Sequence, residues 1–256
     1  MHPSAMETTP AIAVSDLRKV YGDKAAVDGL SLTVPRGCFF GFLGPNGAGK
    51  TTTIKMLMGL ATPTSGSIEL LGLPMPTEAL RIRQNIGLVP DETLLFYHLT
   101  GGEFLEFVGR MYGLPVAVAR ERSRELLVLF EMDGHGRKLI TEYSKGMRKR
   151  VAMAASLIHR PQLFLMDEPF EGVDAVGARL MKDLLLDQVR NGATIFLTSH
   201  VLEVVERLCD RVAIIDHGKI VMNEAMADLN HESGGLEETF VRIVGGARSP
   251  EALDWL

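Results

Sequence analysis

The residues best suited to chemistry form a glycine-rich run between a predicted strand and a predicted helix. Residues 44–51 match the pattern G-x-x-x-x-G-K-[ST], which is typical of loops that bind nucleotide phosphates. Backbone N–H groups of such a loop and the N-terminus of the following helix can surround an anion. We expect the Lys50 ammonium to reach the β- and γ-phosphates and the Thr51 hydroxyl to bind Mg²⁺. The predicted nucleotide-binding residues of this segment are Gly44, Pro45, Asn46, Gly47, Ala48, Gly49, Lys50, Thr51 and Thr52.

Two adjacent carboxylates follow a second apolar run. Residues 163–166 are Leu-Phe-Leu-Met, which predicts a buried strand, and Asp167 and Glu168 come directly after it. A carboxylate at the end of such a strand suits metal-assisted phosphoryl transfer. Asp167 would bind Mg²⁺, directly or through water, and Glu168 would polarise the attacking water. The alternative is a strand that simply runs into an acidic surface turn.

The elements that must position these residues alternate between strand and helix patterns. Residues 12–34 predict short strands with a hairpin turn at residues 21–24, and further strands are predicted at 67–71, 86–89 and 194–197. The expected fold class is α/β, with a P-loop NTPase core and a mostly parallel sheet. An N-terminal antiparallel β layer and an inserted helical subdomain would complete it.

We expect the whole chain to form one domain with a helical insertion. The nucleotide-binding core is predicted to comprise residues 1–90 and 161–229. The helical subdomain is predicted to comprise residues 91–160, which show helix patterns over 101–111, 116–132 and 145–159 and no strands. Residues 230–256 are predicted to form a short tail. The tail would contain a flexible joint at 232–235 and an amphipathic helix over 236–244.

The composition and net charge of the chain limit the kinds of partner and the cellular location that we expect for it. The 256 residues carry a net charge of −5, which gives no broad basic surface, so nucleic acid is not an expected partner. Two cysteines, Cys38 and Cys209, fit small buried side chains better than a disulfide. No run approaches about 18 consecutive apolar residues, and the N-terminus lacks a signal-peptide pattern. We therefore expect a cytoplasmic protein that reaches a membrane only through another chain.

Four more residues join the phosphate loop and the acidic pair in a characteristic order. They are Tyr21 in the hairpin turn, Ser144 and Gly146 at the start of a predicted helix, and His200 after the strand at 194–197. With these residues, the chain resembles the nucleotide-binding subunit of ABC transporters over nearly its whole length. Residues 143–147 resemble the signature sequence of that family, and residues 171–174 resemble its interface loop.

The resemblance implies a role for each of these residues. Tyr21 would stack on adenine, and His200 would contact the γ-phosphate. Ser144 and Gly146 of one subunit would close on ATP held by the phosphate loop of a second subunit, which implies a homodimer. Each residue also has a plainer interpretation, since Tyr21 could only fill its turn, and His200 or Ser144 could only cap a helix.

The chain departs from the family pattern at two places. Asp91 stands where the family usually has glutamine, and Lys145 and Met147 stand where the commonest signature has glycine and glutamine. We expect Asp91 to act through Mg²⁺, directly or through one water, unless it is only a solvated loop residue. Similar signature variation occurs in the exporter branch of the family, whose permeases are separate six-helix proteins.

The leading hypothesis is an ATP-hydrolysing subunit that uses ATP and Mg²⁺ and dimerises on ATP. It would drive a separate membrane permease, and export is the favoured direction of transport. The permease would dock near residues 91–100 on the cytoplasmic face of the membrane. The expected catalytic residues of this chain are Lys50, Glu168 and His200, and its expected metal ligands are Thr51, Asp91 and Asp167. One alternative is a soluble ABC ATPase that is not coupled to transport. Another is a P-loop kinase, against which Glu168 and the signature residues argue.

Overall fold

The computed structural model describes residues 9–91, 95–229 and 235–245, and it contains two β-sheets covered by helices. Its strands are β1 (Ile12–Tyr21), β2 (Lys24–Val34), β3 (Phe39–Leu43), β4 (Ser65–Leu70), β5 (Leu73–Pro74), β6 (Ile86–Val89), β7 (Leu163–Asp167), β8 (Thr194–Thr198), β9 (Arg211–Asp216) and β10 (Lys219–Ala225). Its helices are α1 (Lys50–Leu57), α2 (Ala79–Arg83), α3 (Gly101–Met111), α4 (Val116–Leu129), α5 (Lys145–Leu157), α6 (Ala175–Arg190), α7 (Leu202–Leu208), α8 (Met226–Leu229) and α9 (Gly235–Val244).

The larger sheet has the strand order β10-β9-β3-β8-β7-β6, and every neighbouring pair except β9 and β10 is parallel. Parallel strands bring their carboxyl ends to the same edge of a sheet, where α/β proteins bind their ligands. The phosphate loop leaves β3 at this edge, and β6, β7 and β8 end there too. The α/β fold expected from the sequence is confirmed.

The smaller sheet is antiparallel and has the strand order β2-β1-β4-β5. Tyr21 pairs with Lys24 across the predicted hairpin turn, and Ile12 pairs with Val34 at the other end of the hairpin. Strand β4 begins at Ser65, two residues before the predicted start. The reason is a bulge in β1 at Asp16, where φ is 48°, which lets Arg18 pair with Ser65.

Strand β3 is buried on both faces, as its continuous apolar sequence requires. Phe39 and Leu43 belong to the apolar cluster on the side of the helices, whereas Phe40 and Phe42 belong to the cluster beneath the antiparallel sheet. Phe196 of β8 stacks on Phe40 at 5.8 Å between ring centroids and lies 5.3 Å from Phe42. These rings fix the two central strands against the antiparallel sheet.

The described residues between β6 and β7 form α3, α4, α5, two short 3-10 turns and one isolated β-bridge between Thr100 and Leu139. Thr100 caps α3: its N–H donates to Glu103 Oε2 at 2.8 Å, and Glu103 N donates to Thr100 Oγ1 at 3.3 Å. Helix α5 packs against β6. Because one buried cluster joins these helices to the large sheet, the boundaries at residues 90 and 160 remain a prediction.

Two predicted helices end earlier than the sequence indicated. The helix expected over 116–132 ends at Leu129, because Glu131 turns left-handed with φ 57° and Met132 N donates to Leu127 O at 2.7 Å. The helix expected over 145–159 ends at Leu157, before Arg160, whose φ is also 57°.

The predicted C-terminal helix is present as α9, whereas residues 232–234 of the predicted joint lie outside the described residues. In the ranges that the structure describes, no helix is long and apolar enough to cross a membrane.

Removing the Phe196 ring should strongly destabilise the protein. Phe196→Ala leaves a cavity between Phe40 and Phe42, and such changes cost about 3–5 kcal/mol of unfolding free energy. Urea unfolding followed by circular dichroism measures the loss. The matched control is Leu80→Ala, because Leu80 is 78% exposed and should lose little. A loss below about 1 kcal/mol for Phe196→Ala would contradict this account of the core.

Candidate functional site

An open cavity of about 600 Å³ lies at the carboxyl edge of the parallel sheet. It lies where the phosphate loop, the ends of β6, β7 and β8, and the hairpin of the antiparallel sheet come together. Its lining residues are Tyr21, Lys24, Ala26, Asn46, Gly47, Gly49, Lys50, Thr51, Thr52, Asp91, Asp167, Glu168, Glu171 and His200. Most of the residues predicted for the site therefore surround one cavity.

The phosphate loop requires glycine at two positions where its backbone lies very close to the backbone of other strands. A side chain on Gly44 would place its Cβ 2.3 Å from the Ile215 carbonyl oxygen, so only glycine fits there. Gly49 has φ 113°, and a Cβ on it would lie 2.5 Å from the Ala26 carbonyl oxygen. Ala48 is buried beneath the loop, and its carbonyl accepts a hydrogen bond from Gly218 N at 2.9 Å.

Lys50 opens α1 and turns back over the loop. Its Nζ donates to the Gly44 carbonyl at 2.6 Å and to the Pro45 carbonyl at 3.1 Å. Burial lowers the pKa of the Lys50 ammonium, while the nearby Glu168 and Asp167 carboxylates raise it. An ammonium has three N–H donors, so at least one remains for a phosphate oxygen.

The acidic pair is held by Thr198, at the end of the neighbouring strand β8. Thr198 Oγ1 donates a short hydrogen bond to the buried Asp167 carboxylate and accepts one from Glu168 N at 3.3 Å. Glu168 has φ 47°, a conformation that is uncommon for a residue other than glycine. This left-handed turn takes the chain out of β7 directly after the buried aspartate.

Glu168 and His200 form a pair in the lining of the cavity. His200 Nδ1 lies 2.9 Å from Glu168 Oε2. Burial raises the pKa of the Glu168 carboxyl, and the hydrogen bond and charge of His200 oppose that rise. His200 does not cap α7, because Val201 is the N-cap residue and its N–H donates to Ser199 Oγ at 3.0 Å. The geometry thus favours a role for His200 inside the cavity over helix capping.

Tyr21 lies at the tip of the hairpin with about half of its surface exposed. Lys19 Nζ sits 4.9 Å from the centre of its ring, so one face of the ring already contacts a cation. The ring lines the cavity, a position from which it can contact a flat aromatic base.

Ser144 and Gly146 are not among the residues that line the cavity. Ser144 caps α5, as predicted, by accepting a hydrogen bond from Met147 N at 3.2 Å. The start of α5 nevertheless lies beside the cavity rim, because Lys145 Nζ contacts Glu171 Oε1 at 2.6 Å. A ligand of Ser144 and Gly146 would therefore approach from outside this cavity.

Asp91 lines the cavity, and its partner is a residue that the sequence analysis did not select. Lys149 of α5 donates from Nζ to the Asp91 carbonyl at 2.8 Å and to the Pro90 carbonyl at 3.2 Å. The same Nζ lies 3.7 Å from Asp91 Oδ1. Only 1% of the Lys149 side chain is exposed, compared with 47% for Asp91. The signal in the sequence was only a run of cations, Arg148-Lys149-Arg150.

The oxygen atoms of Thr51, Asp91 and Asp167 are hard donors of the kind that Mg²⁺ prefers. One Asp167 oxygen is already engaged by Thr198. Within the described ranges, no group of three or more histidine, cysteine, aspartate or glutamate residues could hold a metal by itself. The residues therefore fit Mg²⁺ that arrives with nucleotide phosphates, which would supply the remaining oxygens together with water.

A phosphate loop, an acidic pair and a histidine at the carboxyl edge of a parallel sheet define a nucleotide hydrolase of the P-loop class. Comparison with known proteins narrows this class. The family model described as ABC transporter matches residues 27–171. The Nod factor export ATP-binding protein I of Ralstonia nicotianae is 42% identical over 228 residues, which cover 89% of this chain and 71% of the relative.

Two further similarities agree with that match. The daunorubicin resistance ATP-binding protein DrrA3 of Streptomyces coeruleorubidus is 41% identical over 225 residues, or 88% of this chain and 71% of the relative. A solved ATP-binding subunit of an ABC transporter superposes with a TM-score of 0.85 at 29% identity, covering 92% of this chain and 99% of that one. The chain belongs to the ABC transporter family and is one of its ATP-binding, ATP-hydrolysing subunits.

Replacing the hydroxyl of Thr198 should lower the stability of the protein. Thr198→Val keeps the shape of the side chain but leaves the buried Asp167 carboxylate without its donor, which should cost about 1–3 kcal/mol of unfolding free energy. Thermal and urea unfolding measure this loss. Thr33→Val, at an exposed position of β2, is the control and should change stability little. Equal stability of the two variants would contradict the support assigned to Thr198.

Proposed function

We propose that this chain is the ATP-hydrolysing subunit of an exporter, that it dimerises on ATP, and that it drives a separate membrane permease. The observation that carries the proposal is the convergence of Lys50, Asp167, Glu168 and His200 on one cavity. Two relatives support the export assignment by their names, since one is a Nod factor export protein and the other a daunorubicin resistance protein.

The phosphate loop binds ATP in this proposal. The Lys50 ammonium and the loop N–H groups hold the β- and γ-phosphates, and Tyr21 stacks on adenine. Mg²⁺, held by Thr51 and Asp167 and reached by Asp91 directly or through one water, would neutralise phosphate charge. Residues 44–52 thus supply most of the binding contacts.

Glu168 is the proposed base for hydrolysis. Its carboxylate accepts the proton of a water whose oxygen attacks the γ-phosphorus, while the bond from that phosphorus to the ADP oxygen breaks. His200 contacts the γ-phosphate and positions Glu168, consistent with the 2.9 Å contact between them. Both side chains adjoin Lys50 in the same cavity.

Ser144 and Gly146 belong to the second half of the site in this proposal. They begin α5, where a hydroxyl, free N–H groups and the helix dipole favour an anion. Since they do not line the cavity of their own subunit, they would close on ATP that a second copy of the chain holds. Lys145 adds positive charge at the same helix end.

The permease is proposed to dock beside β6, which would place the subunit on the cytoplasmic face of the membrane. An apolar groove of about 340 Å³ lies there, between β6 and the helices α3 and α5. Phe96, Phe107 and Met111 in this groove are exposed, which is unusual for large apolar side chains without a partner. The groove adjoins the Pro90–Asp91 segment, so motion at the nucleotide can reach the permease.

Glu168→Gln tests the assignment of the base. The amide keeps the size of the side chain but cannot accept the proton, so ATP hydrolysis should fall by about a hundredfold or more. ATP binding should persist, and an ATP-bound dimer should accumulate on size-exclusion chromatography. The control is Glu121→Gln, at an exposed position of α4. Turnover of Glu168→Gln within a factor of about two of wild type would assign the base elsewhere.

Mixing variants tests the shared site. A dimer of one Lys50→Ala subunit and one Ser144→Arg subunit retains one site with an intact phosphate loop and an intact Ser144. Hydrolysis should therefore reappear in the mixture although each variant alone is inactive.

The matched control mixes Lys50→Ala with Glu168→Gln. Lys50 and Glu168 line the same cavity of one subunit, so each site of that mixed dimer lacks one of them. This mixture should stay inactive. Rescue in both mixtures, or in neither, would refute a site that two subunits share in this way.

A further inference from the structure

Helix α5 carries three cations that contact acids around the nucleotide cavity or at the start of α6. Lys145 contacts Glu171 at 2.6 Å, and Arg150 contacts the α6 cap residue Asp174, also at 2.6 Å. Lys149, which contacts Asp91, differs from both because its side chain is almost completely buried. A buried ammonium is costly unless its surroundings compensate for the lost water, so its position requires an explanation.

The surroundings of Lys149 account for its charge. Two backbone carbonyls, of Pro90 and Asp91, accept hydrogen bonds from Nζ, and the Asp91 carboxylate lies within ion-pair distance. Burial lowers the pKa of Lys149, and Asp91 is the largest of the nearby charges that raise it. Lys149 thus holds the end of β6 against α5 and faces the carboxylate that lines the cavity.

The negative charge of Asp91 is unfavourable beside a nucleotide, and the positive charge of Lys149 can offset it. A carboxylate beside the phosphates of a nucleotide repels them, whereas an amide at the same position would not. A cation on the far side of that carboxylate makes the pair neutral overall while leaving an oxygen donor in the cavity.

We propose that Lys149 is a positioning residue for the nucleotide site, where it fixes the Pro90–Asp91 segment and offsets the charge of Asp91 so that the pair replaces a neutral amide. This inference rests on the proposed function, because it assumes that the cavity holds nucleotide phosphates. Lys149 need not touch the nucleotide. It acts through the position and charge balance of Asp91.

The test measures ATP binding to the full chain in EDTA, where metal cannot mask the charges. Lys149→Met leaves Asp91 uncompensated, so ATP should bind on the order of tenfold more weakly. Asp91→Asn leaves the cation uncompensated, so ATP should bind several-fold more tightly. The double variant Lys149→Gln with Asp91→Asn restores neutrality and keeps side-chain N–H donors for the two carbonyls, so it should bind ATP as wild type does. Both single effects should shrink as salt is added, because ions screen charges near the surface.

Three further variants make the result specific. Lys149→Gln keeps N–H donors without the charge, so it should bind ATP more weakly than wild type but no more weakly than Lys149→Met. Lys138→Met, which removes an exposed lysine of the same helical region, should leave affinity unchanged. Lys50→Ala should lose binding. If Lys50→Ala still binds ATP, the proposed nucleotide site is wrong. If Lys50→Ala loses binding as expected but the Lys149 variants do not behave as described, only the inference about Lys149 is wrong.

Two outcomes would overturn the inference. One is an Asp91→Asn variant that binds ATP no more tightly than wild type. The other is a loss in Lys149→Gln that persists in the double variant with Asp91→Asn, because that loss would not come from the charge of Asp91. If Lys149→Met does not fold, as judged by circular dichroism, Asp91→Asn and its salt dependence decide the matter, since Asp91 is half exposed and its change is isosteric.

Discussion

Parallel pairing of β3, β8, β7 and β6 is the constraint on which the rest of the structure depends. The register of these strands sets Asp167 opposite Thr198 and places the polar residues that follow each strand at one edge. A register shift of one residue would turn Asp167 to the other face and separate it from its donor. The apolar burial of β3 and β8 on both faces keeps that register fixed, so core packing and site geometry have the same origin.

Helix α5 connects the helical region to this edge through charged contacts as well as through its buried apolar residues. Arg150 reaches in two directions, donating to Glu131 at 3.2 Å and to Asp174 at 2.6 Å. Gly177 allows this approach, because a Cβ there would lie 2.6 Å from the Arg150 guanidinium. Ion pairs between exposed side chains contribute little to stability, but a largely buried arginine with several acceptors fixes an orientation. The signature end of α5 therefore has a defined position relative to the cavity even in a single subunit.

The sequence predicted those parts of the fold whose structure depends on a single local pattern of residues. Apolar runs such as residues 163–166 marked buried strands, and glycine spacing marked the phosphate loop. Helix ends were missed where Glu131 and Arg160 adopt left-handed conformations, because neither residue type signals such a turn. The partner of Asp91 was also missed. Lys149 lies 58 residues further along the chain, and only the packing of α5 against β6 brings the two together.

That missing partner is part of a wider charge balance around the cavity. Each of the four carboxylates that line it has a partner. Asp91 and Glu171 contact the cations Lys149 and Lys145, whereas Asp167 accepts a hydrogen bond from the neutral hydroxyl of Thr198 and Glu168 contacts His200. An uncompensated carboxylate repels a highly charged anion, so the two lysines reduce the repulsion that entering phosphates would meet. Two of these partners belong to the same face of α5, four residues apart, one turn of the helix. In the proposed dimer, the helix that presents Ser144 and Gly146 to a second subunit therefore also carries the two lysines that contact carboxylates of the cavity in its own subunit.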